Sequence, residues 1–146
     1  MNEPSLLDRG IDCAYRKLES ASGDLSKLPE PFLTVVLITH AQGMIDNGGF
    51  RYFFETDQPG QPQYKVYSDA YRRIGAAKAA DLLDLAVALF PFEDPHLSSD
   101  RRNSYLESLD ESDELFTMGY EVCGDETIWV RLEGYIGDNS ALFQDS

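Results

Sequence analysis

Pro31-Phe32-Leu33-Thr34-Val35-Val36-Leu37-Ile38-Thr39-His40-Ala41-Gln42-Gly43-Met44-Ile45-Asp46-Asn47-Gly48-Gly49-Phe50 is the stretch that decides the fold. Its Val-Val-Leu-Ile core is short and apolar enough to be a buried strand, so the residues on either side must decide. On the N-terminal side Pro29 and Pro31 suit the start of a helix. On the C-terminal side the apolar pattern continues through Ala41, Met44 and Ile45 and stops at Asn47-Gly48, residues that tolerate the left-handed geometry of a helix end. The spacing therefore predicts a helix over about 31–46, followed by a short aromatic helix over 50–54.

Helical periodicity recurs along the chain. Leu7, Ile11, Ala14/Tyr15 and Leu18 form one stripe of a first helix over about 4–20. Residues 57–63 hold Pro59, Gly60 and Pro62 and read as an exposed loop. Tyr67, Ala70, Tyr71 and Ile74 mark a helix over 64–74 closed by Gly75. An Ala/Leu-rich helix follows over 76–90, ended by Pro91 and Pro95. Further helices are expected over about 100–109, from Ser112 to Cys123, and over 126–137, with Gly124 as a stop and Asp125 as a cap. No alternating strand pair and no internal repeat is present. The expectation is an all-α fold: one compact domain, residues 1–146, of seven or eight short to medium helices.

Charge is the second strong feature. The 146 residues carry 26 acids against 12 bases, a net −14, well past the roughly 2–8 that keeps a small domain soluble. The last third, 101–146, holds eleven of the acids and three of the bases, hence −8 of the −14. Such a surface repels nucleic-acid backbones and anionic membranes and attracts basic partners, at rates that fall with salt. Direct nucleic-acid binding is argued against on that ground.

The charge is densest over 103–130, where Glu107, Asp110, Glu111, Asp113, Glu114, Glu121, Asp125 and Glu126 stand without a single Lys or Arg. Tyr105, Leu106, Leu109, Leu115, Phe116, Tyr120, Ile128 and Trp129 are interleaved with them and are expected to supply a buried side, which a disordered acidic tail would lack. Glu107, Asp110, Glu111 and Glu114 step by three, one and three, so a helical 100–115 would line them along one edge, with neighbours about 5–6 Å apart. Asp113, Glu121, Asp125 and Glu126 would continue the track.

Catalytic constellations are thin. His40 and His96 are the only histidines, outside any HExxH or HxH pattern, and His40 reads as a packed or capping residue. No GxSxG or phosphate-cradling glycine loop occurs. The cluster Asp110-Glu111-Ser112-Asp113-Glu114 lacks the glycine and the terminal Glu of a calcium loop. The chain is expected not to be an enzyme and to carry no cofactor and no metal.

Cys13 and Cys123 fit buried thiols of a reducing compartment, although a single bridge between them is an open alternative. The N-terminus has no basic and apolar leader pattern, and no apolar run approaches the ~20 residues that span a bilayer. The expected location is cytoplasmic.

Asn47-Gly48-Gly49-Phe50 reads first as a sharp helix-to-helix corner, with Phe50, Tyr52 and Phe53 anchoring it in the core. Four landmarks then act together: this motif with Tyr52-Phe53-Phe54, the helix end Ile74-Gly75-Ala76, the end Leu89-Phe90-Pro91, and Tyr135-Ile136 with Phe143. In that order they resemble a family of bacterial all-helical proteins of the DMP type, a domain of unknown function whose members include an acidic DNA mimic. The resemblance covers about 32–143. Glu55-Thr56 departs from it, since a small amide is usual there.

The resemblance implies a helical protein, often a homodimer, whose carboxylates stand in for DNA phosphates. Such a surface would occupy the DNA-binding face of a transcription factor or another basic DNA-binding protein, without catalysis or cofactor. Two alternatives remain at this stage: an immunity-type or adaptor inhibitor of a basic effector such as a nuclease, and a carboxylate-based metal-dependent hydrolase.

Overall fold

The computed structural model describes residues 4–144, and among these residues all regular structure is helical. Eight α-helices run α1 (Leu6–Ser20), α2 (Phe32–Glu55), α3 (Lys65–Arg73), α4 (Ala77–Ala88), α5 (Ser99–Ser108), α6 (Glu114–Tyr120), α7 (Glu126–Asp138) and α8 (Ser140–Phe143), with single 3₁₀ turns at Leu25–Lys27 and Pro95–Leu97. The all-α expectation holds, and among the described residues no helix is long and apolar enough to cross a membrane.

The deciding stretch is helical and lies at the centre. Fourteen of the 24 residues of α2 are buried, so the helix has no solvent face over its first four turns. Val35, Val36, Leu37 and Ile38 are all at most 4% exposed. A helix apolar on every side is a core helix, and this is why its periodicity looked like that of a strand. Fully burying each such side chain stabilises the fold by about 1.5–3 kcal/mol. In front of Pro31, Glu30 accepts hydrogen bonds from the Thr34 amide (2.9 Å) and hydroxyl (2.6 Å), tying down an otherwise open helix start.

The two expected helices 31–46 and 50–54 form one element with a kink, where Gly48 and Gly49 leave helical geometry. Beyond the kink Phe50, Phe53 and Phe54 are buried and meet Tyr64, Tyr67 and Phe90 in edge-on ring contacts. Tyr52 does not belong with them. It is 42% exposed, because residue 52 falls on the face of the turn opposite Phe50, Phe53 and Phe54.

Around α2 the other helices form a shell. α1 and α7 pack together on one side, α3 and α4 pair on another, α5 packs against α2, and α6 is wedged between α2 and α4. Four of the eight helix starts carry a side-chain cap, from Ser5, Ser98, Asp113 and the expected Asp125. One continuous apolar cluster joins all these helices. His40 is half-buried and meets Gln58 at 2.6 Å, the packed role expected of it.

Three core tyrosines give the fold a titratable weakness. Burial pushes the hydroxyl of Tyr64 up to about 12, and raises Tyr67 and Tyr71 above the ordinary tyrosine range as well. A raised folded-state pKa means stability that is intact below the unfolded value near 10 and is lost as pH climbs through the folded value. Helicity should therefore collapse between about pH 10 and 12, together with the rise in tyrosinate absorbance. Tyrosine ionisation complete by pH 10.5 with helicity intact would contradict the burial of these rings.

Candidate interaction surface

The eight candidate carboxylates all lie at or near the surface. Glu107, Asp110, Glu111, Glu114, Glu121 and Glu126 are exposed, and Asp113 and Asp125 are half-buried. Their arrangement differs from a single helical edge. α5 stops at Ser108, Leu109 is extended, and α6 begins only at Glu114. The physical reason lies in the Asp-Glu-Ser-Asp composition, whose short polar side chains bond the local backbone in competition with a helix. Asp110 accepts from the Glu111 amide (3.0 Å) and the Ser112 hydroxyl (3.2 Å), and Asp113 accepts from the Leu115 amide (3.0 Å) as the cap of α6.

The other members divide in the same way. Asp125 caps α7 through the Thr127 amide (3.0 Å) and hydroxyl (2.5 Å). Glu121 pairs with Lys78 at 3.0 Å, in an exposed bridge of small energetic value. Among the described residues, Lys78 is the only cation within ion-pair distance of the eight, and Glu107, Glu111, Glu114 and Glu126 make no side-chain hydrogen bond or ion pair. Burial, and after it the negative charges of Asp113 and Glu114, push the Tyr105 hydroxyl above the ordinary tyrosine range, which places that hydroxyl in the field of the α6 start.

The apolar side of the segment is mostly as read. Leu106, Leu115, Phe116 and Ile128 are buried, and Val122 joins them. Tyr120 departs, at 63% exposed, because it closes α6 at the rim of a hollow of about 290 Å³. Gly48, Gly49, Phe50, Arg51, Glu111, Phe116 and Tyr120 line that hollow. It brings Glu111 together with the Asn47-Gly48-Gly49-Phe50 corner, and there Arg51 stacks over the Phe116 ring at 5.3 Å.

The corner itself is explained by backbone geometry. Asn47 donates back to the Gly43 carbonyl at 2.8 Å, and Gly49 takes φ +67° and ψ −165°, a region essentially closed to residues with a Cβ. On the facing helix, a Cβ at Gly119 would come within 2.9 Å of Phe50, so α6 docks on the corner only because Gly119 is bare.

Two polar anchors that sequence reading did not single out hold the acidic segment in place. At its end stands Asp46. One carboxylate oxygen accepts from Gln42 (2.8 Å) and the Gly124 amide (2.7 Å), and the other accepts from the Trp129 indole (3.0 Å). Gln42, fully buried, also donates to the Val122 carbonyl (2.9 Å) and accepts from the Tyr71 hydroxyl (2.8 Å). At the beginning of the segment stands Arg102, which is 0% exposed. It donates to the Phe54 carbonyl (2.7 Å), the Pro95 carbonyl (2.8 Å) and Asp57 (2.6 Å). The available signals were Gln42 and Asp46, four apart in an otherwise apolar helix, and an arginine at the edge of an acidic run.

Cys13 and Cys123 are separate thiols: Cys13 lies in the buried face of α1, and Cys123 donates to the Asp46 carbonyl at 3.6 Å. Among the described residues, no three His, Cys, Asp or Glu side chains converge in a manner suited to a metal ion.

Two substitutions test this construction. Asp46→Ala leaves the Trp129, Gly124 and Gln42 donors unmatched and should cost about 2–4 kcal/mol in chemical unfolding. Amide exchange should accelerate first at 122–129. Gly49→Ala should cost about 1–3 kcal/mol through backbone strain alone. Unchanged stability in either variant would refute the role given to that residue.

No curated protein and no solved structure matches the chain. A family model does match, that of the DMP19-like protein, over residues 26–139. The matched span runs from the first 3₁₀ turn to the end of α7 and contains the kinked central helix, both anchors and the whole acidic segment. With that span matched, the chain belongs to the DMP19-like protein family.

Proposed function

We propose that the protein acts by binding rather than by catalysis, as a DNA mimic whose carboxylates occupy the DNA-binding surface of a basic partner such as a transcription factor. One observation carries the reading. Residues 103–130 present eight carboxylates and no Lys or Arg, and the segment is fixed to the core at both ends by Arg102 and Asp46. A fixed negative surface meets a cationic groove without first paying the entropy of ordering flexible acidic side chains on a loose chain. Family membership is consistent with this role. Partner and target belong to the proposal.

The mimicry in this reading is electrostatic, not a copy of phosphate spacing along one helix. Glu107, Glu111, Glu114 and Glu126 are the side chains free to turn toward a partner, while Asp110, Asp113, Glu121 and Asp125 add to the field from fixed positions. A cytoplasmic location and a homodimer that doubles the acidic area are parts of the same reading.

The test is capture from a lysate at low salt, followed by competition of the captured protein against duplex DNA at rising salt. Displacement of DNA that fades as salt rises is expected. Reversal of Glu107, Glu111, Glu114 and Glu126 to Lys should weaken capture about ten-fold or more with helicity preserved. Salt-insensitive capture, or equal capture by the reversed variant, would overturn the proposal. Recovery of a nuclease whose active site is covered would instead favour the inhibitor reading.

A further inference from the structure

The acidic segment meets the kink of α2 at one concave place, the hollow of about 290 Å³ that Glu111 and Tyr120 share with the 48–51 backbone. That volume falls at the lower edge of the roughly 300–1,000 Å³ of small-molecule sites. It suits one long side chain better than a larger ligand.

The hollow is backed by core residues. Phe50 and Phe116 are buried, and the Arg51 guanidinium lies over the Phe116 ring at 5.3 Å. Arg51 is itself satisfied, since its Nε donates to Glu55 at 2.8 Å and one carboxylate offsets its charge. The open side carries two groups with no task in the fold. Tyr120 is 63% exposed, and Glu111 is exposed on the turn before α6, its carboxylate without a hydrogen-bond or ion-pair partner among the described residues. An accessible tyrosine at the mouth of a concave site is the composition of an interface hot spot.

Charge decides what such a site takes. With Arg51 and Glu55 offsetting each other, Glu111 leaves the hollow negative, in a chain of net charge −14. An anion is repelled there and a cation is drawn in. Between the two long cationic side chains, the geometry favours arginine: a planar guanidinium lies flat on an aromatic ring while its edge donates two parallel bonds to a carboxylate. A lysine ammonium is a strongly hydrated point charge and gains less from the ring. Arg51 over Phe116 is the same ring pairing, already made inside the hollow.

We propose that this hollow receives one arginine side chain of the basic partner, stacked on the Tyr120 ring and paired through its edge with the Glu111 carboxylate. The identity of the partner rests on the mimicry reading, to which the hollow adds a directional contact. The eight carboxylates attract any cationic surface from a distance, whereas one seated arginine fixes the register in which it docks. Arginines are also the side chains that DNA-binding surfaces present to phosphates and to guanine edges, so the residue taken up is one that would otherwise hold DNA.

The probe is the blocked peptide acetyl-Gly-Arg-Gly-amide, titrated into the full chain at about 0.15 M ionic strength, where screening over ~8 Å mutes the general field. Its counterparts carry lysine, or citrulline as the neutral isostere. NMR shifts of the Gly48 and Gly49 amides and of the Tyr120 ring report occupancy. The arginine peptide should bind about five-fold or more tightly than either counterpart. Glu111→Gln should bring it down to the citrulline level, and Tyr120→Leu should weaken it about three-fold or more. Glu19→Gln, the same loss of charge on exposed α1, should leave its affinity unchanged. Both hollow residues are exposed, so the melting temperature of each variant should stay level. Absence of shifts at the hollow, equal binding of the arginine and lysine peptides, or equal losses from Glu111→Gln and Glu19→Gln would each overturn the proposal. The titration uses neither partner nor DNA, so its failure leaves the competition against duplex DNA standing, and failure of that competition leaves the arginine site standing.

Discussion

The position of the acidic surface depends on the kink in the central helix. Asp46 lies just before Gly48 and Gly49, and the Phe54 carbonyl lies beyond them. Asp46 holds the chain at 122–129, and the Phe54 carbonyl holds Arg102. The segment between the two anchors is thus stretched across the bend, and α6 rests on the bend itself through the bare backbone of Gly119. A straight α2 would rotate and displace Phe54 relative to Asp46, and the two anchors would no longer match one segment. A backbone dihedral available only to glycine is in this way connected to the placement of charges far along the chain.

Polar anchors fix position more sharply than apolar packing does. The hydrophobic effect is non-directional, and a core of Leu, Ile and Phe tolerates sliding if volume is conserved. Asp46, with three donors converging on two oxygens, and Arg102, with three acceptors around one guanidinium, admit one register each. Both are sheltered enough that removing a partner leaves a charge or donor unmatched. The combination is an apolar cluster that supplies most of the stability and two hydrogen-bonded points that set where the acidic segment lies.

The fold was largely legible because helix starts and stops are local chemistry. Asp125 caps where expected and Gly75 follows the end of α3 as expected, whereas α6 ends at Tyr120, short of the expected stop at Gly124. Even the ambiguous Val35-Val36-Leu37-Ile38 resolved on its flanks, since its lack of periodicity reflects burial on all sides. The candidate surface was legible in content but not in geometry. The same Asp and Ser residues that made 110–114 conspicuously acidic also bond the local backbone and break the helix that would have aligned them. Asp46 and Arg102 were not legible as anchors. Their partners lie 78 and 83 residues away for Asp46, and 45 and 48 residues away for Arg102, and no local pattern encodes such distances.

Not every carboxylate of the segment argues for a partner. Glu114 and Glu126 each open a helix, where a negative charge stabilises the exposed amides by about 0.3–1 kcal/mol whatever the protein does. Asp113 and Asp125 are caps, and any helix beginning there would favour them. Glu107 is different. It sits in the last turn of α5, a helix with no basic residue in that turn, at the end where a carboxylate is opposed by the helix dipole. Glu111 lies outside any helix, exposed at the rim of the 47–50 corner. Helix chemistry accounts for the acids at 113, 114, 125 and 126, local hydrogen bonds occupy Asp110 and the Lys78 pair occupies Glu121, which leaves those at 107 and 111 unaccounted for. Under the mimicry reading these two, close to the corner shared with α2, are where selection by a cationic partner would leave its clearest mark.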